Sequence, residues 1–192
     1  MTKWLSHRMV ERGIIKEEEQ ELYQFGIRNG MILLLNVVTA LVIGLLTEQL
    51  AVVAVFTLSF MVLRSYTGGY HSDSRVFCYL GSNLVLLVPV YTQAVFYKTS
   101  LAWLLAVLLV SAGIIFLLSP MHSKNRKLDK EEQKHFGRKA RLIAALELAV
   151  LGILWHAGQI PYAYAVYTGI CITALFMLCL LYTSPSPRDY AA

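Results

Sequence analysis

Leu101-Ala102-Trp103-Leu104-Leu105-Ala106-Val107-Leu108-Leu109-Val110-Ser111-Ala112-Gly113-Ile114-Ile115-Phe116-Leu117-Leu118 runs for eighteen residues without a charge. A helix needs roughly 20 predominantly apolar residues to cross a ~30 Å hydrocarbon layer, so this run reads as a membrane span. Directly after it the composition inverts. Ser119–Arg141 carries eight basic residues (Lys124, Arg126, Lys127, Lys130, Lys134, Arg138, Lys139 and Arg141) against three acids. Working outward, five further apolar runs appear: Met31–Leu46, Ala51–Leu63, Val76–Phe96, Leu142–Trp155 and Tyr162–Tyr182. Ala51–Leu63 and Leu142–Trp155 are short, and are expected to borrow flanking residues, tilt little or thin the bilayer locally. The 192-residue chain is 57% hydrophobic and 15% charged, too little and too clustered a charge to coat a soluble domain. The expected fold is all-α, a polytopic membrane protein of about six transmembrane helices without internal repeats.

Lysine and arginine placement sets the orientation. With six spans, the segment before the first span, the second and fourth loops and the tail share one side, and 16 of the 17 basic residues fall there. Only Lys98 falls on the other. Both termini and the basic loop 119–141 are therefore expected in the cytoplasm, at the cell membrane. A five-span arrangement moves only the tail. The first 28 residues are charged and lack the apolar centre and cleavage site of a signal peptide. Residues 3–27 alternate apolar Trp4, Leu5, Met9, Ile14, Leu22 and Phe25 with acidic Glu17, Glu18, Glu19 and Glu21, the pattern of an interfacial amphipathic helix. The domain reading is an N-terminal amphipathic helix over 1–28, a transmembrane domain over 29–182 and a disordered tail of non-native character over 183–192, where two Ser-Pro pairs stop any helix.

One segment has the makings of chemistry. Arg64-Ser65-Tyr66-Thr67-Gly68-Gly69-Tyr70-His71-Ser72-Asp73-Ser74-Arg75-Val76-Phe77-Cys78 joins the second and third spans and holds the chain's one closely spaced His–Cys pair. A thiolate is a strong nucleophile and a neighbouring imidazole can generate it. Seven residues on one helix would separate the two side chains by about 10 Å along the axis, too far for direct proton transfer. His71 must therefore leave the helix of Cys78. Gly68-Gly69 permits a sharp turn, Ser72, Asp73 or Ser74 can cap a helix starting just before Val76, and Cys78 then sits near that helix's N-terminus, where the dipole favours a thiolate. Read blandly, the glycines are a turn, Cys78 a small hydrophobe and Arg64 a snorkelling anchor.

The remaining candidates are weaker. His122, His135 and His156 lack ligand spacing, and Cys171 and Cys179 suit packing. Glu147 lies inside the fifth span, where a carboxylate is costly and often functional; pairing with Arg141 or Arg138 is the structural reading. Asn83 and Gln93 could bond between helices, and Ala106, Ser111, Ala112 and Gly113 permit a homodimer. HExxH, P-loop and GxSxG patterns are absent from the sequence. No cofactor, metal or nucleic acid is expected; membrane lipid is.

The pattern Arg64…Gly68-Gly69-Tyr70-His71 with Cys78 resembles the accessory gene regulator B (AgrB) family, membrane cysteine endopeptidases that process quorum-sensing pro-peptides in Gram-positive bacteria. Glu17–Gly26 is similar to that family's acidic-aromatic approach to the first span, and Ser119–Leu128 to its SP-x-H-x-x-N-K/R-x-L loop; the likeness covers roughly residues 8–182. It implies Cys78 as nucleophile and His71 as its base. Arg64, Gly68 and Gly69 would serve as oxyanion or loop-shaping support. An AgrD-like pro-peptide would be the substrate, its acidic tail collected by Lys124, Arg126 and Lys127. The product would be a thiolactone or lactone ring. The competing readings are a small peptide transporter or exporter, whose usual marks are repeats and midplane charges, and a non-catalytic membrane scaffold.

Overall fold

The computed structural model describes residues 2–67, 75–121 and 130–183. Among them the chain is helical without a strand: α1 (Thr2–Glu11), a 3-10 turn (Glu17–Glu19), α2 (Gln20–Leu46), α3 (Leu50–Thr67), α4 (Arg75–Tyr91), α5 (Gln93–Lys98), α6 (Leu101–Leu118), α7 (Lys130–His156) and α8 (Ile160–Thr183). Four of these, α2, α3, α6 and α8, are long and apolar enough to cross a membrane on their own. α3 gains the length that its apolar run lacked by extending to Thr67. The all-α, polytopic membrane architecture thus stands, with the other two apolar runs carried by α4 together with α5 and by the second half of α7. Leu109, Leu117, Leu84 and Leu58 are among the many large apolar side chains left exposed on these helices, a coat suited to lipid rather than water.

Three departures from the expected elements have local causes. The N-terminal stretch is not one helix, because α1 stops at Gly13, whose φ of 66° lies in the left-handed region. There Gly13 N–H reaches the Val10 carbonyl and Ile14 N–H the Met9 carbonyl, the paired bonds of a Schellman stop. α2 then runs unbroken from Gln20 across residue 28. The third run divides at Thr92, three residues beyond Pro89, which lies inside α4. Pro89 offers no N–H to the Val85 carbonyl and crowds the turn before it. Finally, half of the basic loop is helix: α7 begins at Lys130, twelve residues before the apolar run, with Glu131 and Glu132 in its first turn, where acids suit the helix dipole.

α8 is the axis of the bundle, packed on α3, α6 and α7, while α2 lies on α3 and α4. One core, around Phe56, Phe96, Val90 and Tyr164, gathers α3, α4, α5 and α8. A second, around Leu63, Ile115, Ile170 and Met177, gathers α3, α6 and α8 with Ala144 of α7. The first core is closed by a hydrogen bond between the Thr92 and Tyr164 hydroxyls. Among the described residues Asn83 and Gln93 bond within their own segments, Asn83 donating to the Tyr79 carbonyl and Gln93 to the Tyr97 hydroxyl.

Candidate active site

α3 ends at Thr67 and α4 starts at Arg75, so the glycine-rich segment leaves and rejoins the bundle at one end, between two helices that pack together. Cys78 is the fourth residue of α4, close to a helix N-terminus as expected from the sequence. His71, Gly68, Gly69 and the candidate caps Ser72, Asp73 and Ser74 lie outside the described residues, as do Lys124, Arg126, Lys127 and His122.

The neighbouring segment is pinned to the same place. Met121 N–H donates to the Thr67 carbonyl at 2.9 Å, joining the last residue of α3 to the start of the basic stretch. Thr67 and Ser119 are buried. Buried backbone groups carry a penalty unless paired, so a strandlike bond between two otherwise separate connections is a strong tie. α7 closes the third side. The Phe136 ring lies 6.1 Å from that of Tyr66, and Lys139 Nζ sits 5.7 Å above the Tyr66 ring. At Gly137 the approach to the Ser119-Pro120 segment is so close that a Cβ would stand 2.9 Å from Pro120 Cδ. Arg141 Nε donates to the Phe116 carbonyl at 3.1 Å, satisfying one of the orphan carbonyls at the end of α6. The ends of α3 and α6 and the beginnings of α4 and α7 therefore converge, and both sequence stretches singled out above start there.

Arg64 is half-buried. Its guanidinium carbon lies 4.6 Å from the Phe176 ring centroid and 5.5 Å from that of Phe60, so it packs on aromatic faces of α3 and α8 instead of only snorkelling outward. Among the described residues Glu147 pairs with neither Arg141 nor Arg138. Its carboxylate accepts a hydrogen bond from Ser59 Oγ at 3.0 Å, with Gly169 of α8 pressed against the same serine. Cys171 packs beside Ser111 and Tyr167, and Cys179 is exposed.

Tyr66, Phe136, Gly137 and Phe176 went unnoticed in the sequence. The one available signal was an aromatic-glycine pair, Phe136-Gly137, set among charges where a purely solvated face has no use for either.

The fold and this convergence define a class, an all-helical multi-span membrane protein with its two most polar connections tied together at one end of the bundle. The family model for Accessory gene regulator B matches residues 1–180, and the chain belongs to that family, which places it in the accessory gene regulator system of quorum sensing. It is similar to "Putative AgrB-like protein" of Clostridium perfringens, 23% identical over 74% of this chain and 69% of that one. "Putative AgrB-like protein 2" of the same species is 24% identical over 65% of this chain and 61% of that one. "Accessory gene regulator protein B" of Staphylococcus intermedius is 26% identical over 79% of this chain and 80% of that one. Both organisms are Gram-positive. No solved structure matches the chain.

Proposed function

We propose that this protein is a membrane cysteine endopeptidase of the cytoplasmic face, which removes the acidic tail of an AgrD-like pro-peptide and cyclises what remains. Cys78 Sγ attacks the carbonyl after the signal region while His71 takes the thiol proton. The C–N bond breaks, His71 returns the proton to the departing amine, and a thioester joins the peptide to Cys78. A thiol or hydroxyl of the bound peptide then attacks the thioester. Its proton passes through His71 to the Cys78 sulfur, and a thiolactone or lactone is released with its leader.

The observation that carries the reading is the Met121 to Thr67 bond. It brings the start of the cationic stretch to the start of the glycine-histidine segment, as a substrate with an acidic tail next to its scissile bond requires. Lys124, Arg126 and Lys127 would gather that tail by a salt-screened attraction, and Arg64 with Gly68 and Gly69 would shape the site. Holding the peptide thiol against the thioester gives ring closure its advantage over water. α1, with exposed Trp4 and Leu5, would lie in the membrane interface beside the bound leader.

The test is intact-mass analysis of the protein in liposomes after mixing with an AgrD-like precursor. Wild type should gain the mass of leader plus signal region, and Cys78→Ala and His71→Ala should not. Tail release without any adduct, or an adduct surviving Cys78→Ala, would overturn the assignment.

A further inference from the structure

On α3, residues 56, 60 and 64 recur every four positions and so share one face. The Phe56 and Phe60 rings stack at 5.8 Å and 5°, and Phe60 meets Phe176 of α8 at 5.9 Å. The Arg64 guanidinium sits at the head of this column, 4.6 Å from the Phe176 centroid. Arg64 stands three residues before the end of α3 and Cys78 three residues after the start of α4. At 1.5 Å per residue, each is about 4.5 Å from its helix end. Because α3 and α4 pack together and meet the joining segment at the same end, the backbones of Arg64 and Cys78 lie at similar levels on adjacent helices.

From this placement we infer that Phe176 is a positioning residue. Its π-face holds the Arg64 guanidinium at the end of α3, next to the helix start that carries Cys78, where that permanent cation acts on the charge that develops during acyl transfer. The inference rests on the peptidase reading and deepens it. A guanidinium is planar, always charged and weakly hydrated, and it stacks on ring faces in a way an ammonium does not. Phe176 supplies the face from α8, so the axial helix of the bundle is joined directly to the site. An arginine whose only task is to anchor α3 in the interface would need no ring from α8, and its exact orientation would be immaterial to chemistry.

The ring's quadrupole can be tuned without changing its shape. Mono-, di- and trifluorophenylalanine placed at 176 progressively weaken cation–π attraction in a nearly isosteric side chain. Single-turnover formation of the Cys78 adduct would be followed in liposomes with a synthetic precursor, in the wild-type and Arg64→Leu backgrounds, with thermal stability recorded for each protein. The expected result is a stepwise fall in acylation rate along the series, about two- to thirtyfold in total. Thermal stability should hold, Phe176→Trp should keep the rate, and fluorination should add nothing in Arg64→Leu. A flat series in a wild-type background that still acylates would overturn the inference and leave the peptidase reading standing. So would an equal fall in Arg64→Leu. Absence of any Cys78 adduct on the unmodified protein removes the peptidase reading, and this inference with it.

Discussion

Gly169→Ala should loosen the bundle at a close crossing of α3 and α8, and Ser59→Ala should partly restore it. A Cβ on Gly169 would stand 2.6 Å from Ser59 Oγ, 3.3 Å from Ser59 Cβ and 3.4 Å from the Phe60 nitrogen. The first distance cannot be accommodated. Ser59 can move its oxygen away only by abandoning Glu147, which it holds at 3.0 Å; otherwise α8 must back away from α3. Either route is an overpacking cost of about 1–3 kcal/mol. Ser59→Ala alone forfeits an interhelical hydrogen bond worth about 0.6 kcal/mol and at most about 1.7. In the double variant the nearest contact becomes the 3.3 Å one to Cβ, a squeeze that side-chain and backbone adjustments of a few tenths of an ångström can absorb. The two losses should therefore fall short of additivity by at least about 1 kcal/mol, well beyond the ~0.3–0.5 kcal/mol scatter of independent sites. Reversible SDS unfolding of the four proteins in mixed micelles, followed by far-UV circular dichroism, measures the cycle. Additive losses, or a Gly169→Ala protein as stable as wild type, would refute the reasoning.

Three further outcomes follow from single features. Glu48 ends α2 at φ 57° with Gln49 N–H on the Gly44 carbonyl, a position suited to glycine; Glu48→Gly should raise stability by about 1 kcal/mol in the same SDS titration. Gly137→Ala places a Cβ 2.9 Å from Pro120 Cδ; adduct formation on Cys78 should drop about tenfold or more as α7 is pushed off the site, while the detergent melting temperature moves by only a few degrees. Raising ionic strength from about 0.05 to about 0.5 M should weaken capture of an acid-tailed precursor several-fold in a liposome flotation assay, and should leave a tail-neutralised precursor unaffected.

The membrane architecture was legible because the apolar runs and the charge asymmetry are long-range features of composition that no tertiary contact overrides. Element boundaries were not. Gly13 fits a continuous helix by sequence, since one glycine in an amphipathic pattern is tolerated unless its φ turns positive, and sequence does not report φ. The helix over Lys130–Arg141 was hidden because charge density drew attention to solvent exposure, although lysine, glutamate, glutamine and alanine are all good helix formers. In the candidate site, the near-terminal position of Cys78 on its helix followed from the Ser72-Asp73-Ser74 cluster. The partners of Glu147 and Arg64 did not follow, because each lies on a different helix, 88 positions away for Ser59 and across the bundle for Phe176. Local spacing favours Arg141 or Arg138 for Glu147. The fold instead spends Arg141 on the Phe116 carbonyl, where a long cationic side chain can close a helix end.

Those two missed contacts bear on how a site at the end of a bundle keeps its geometry. α3 touches α7 at Ser59–Glu147 and again at Tyr66–Lys139; seven residues forward on α3 correspond to eight backward on α7, an antiparallel register. It touches α8 at Ser59–Gly169 and again at Arg64–Phe176; five residues forward on α3 correspond to seven forward on α8, a parallel register. Two contacts on each neighbour remove the freedom to slide along the axis, and both pairs share Ser59 as the deep contact. The shallow contacts lie about 7–12 Å nearer the end, where Arg64, Tyr66 and Lys139 surround the converging connections. A small serine between a glycine and a carboxylate thus sets the level at which three helices present these side chains. Since a misplacement of about 1 Å can cost a catalyst about a hundredfold, the depth of Ser59 matters to the proposed chemistry although Ser59 lies two turns below it. Mutations at this junction should accordingly reduce acylation at unchanged precursor binding.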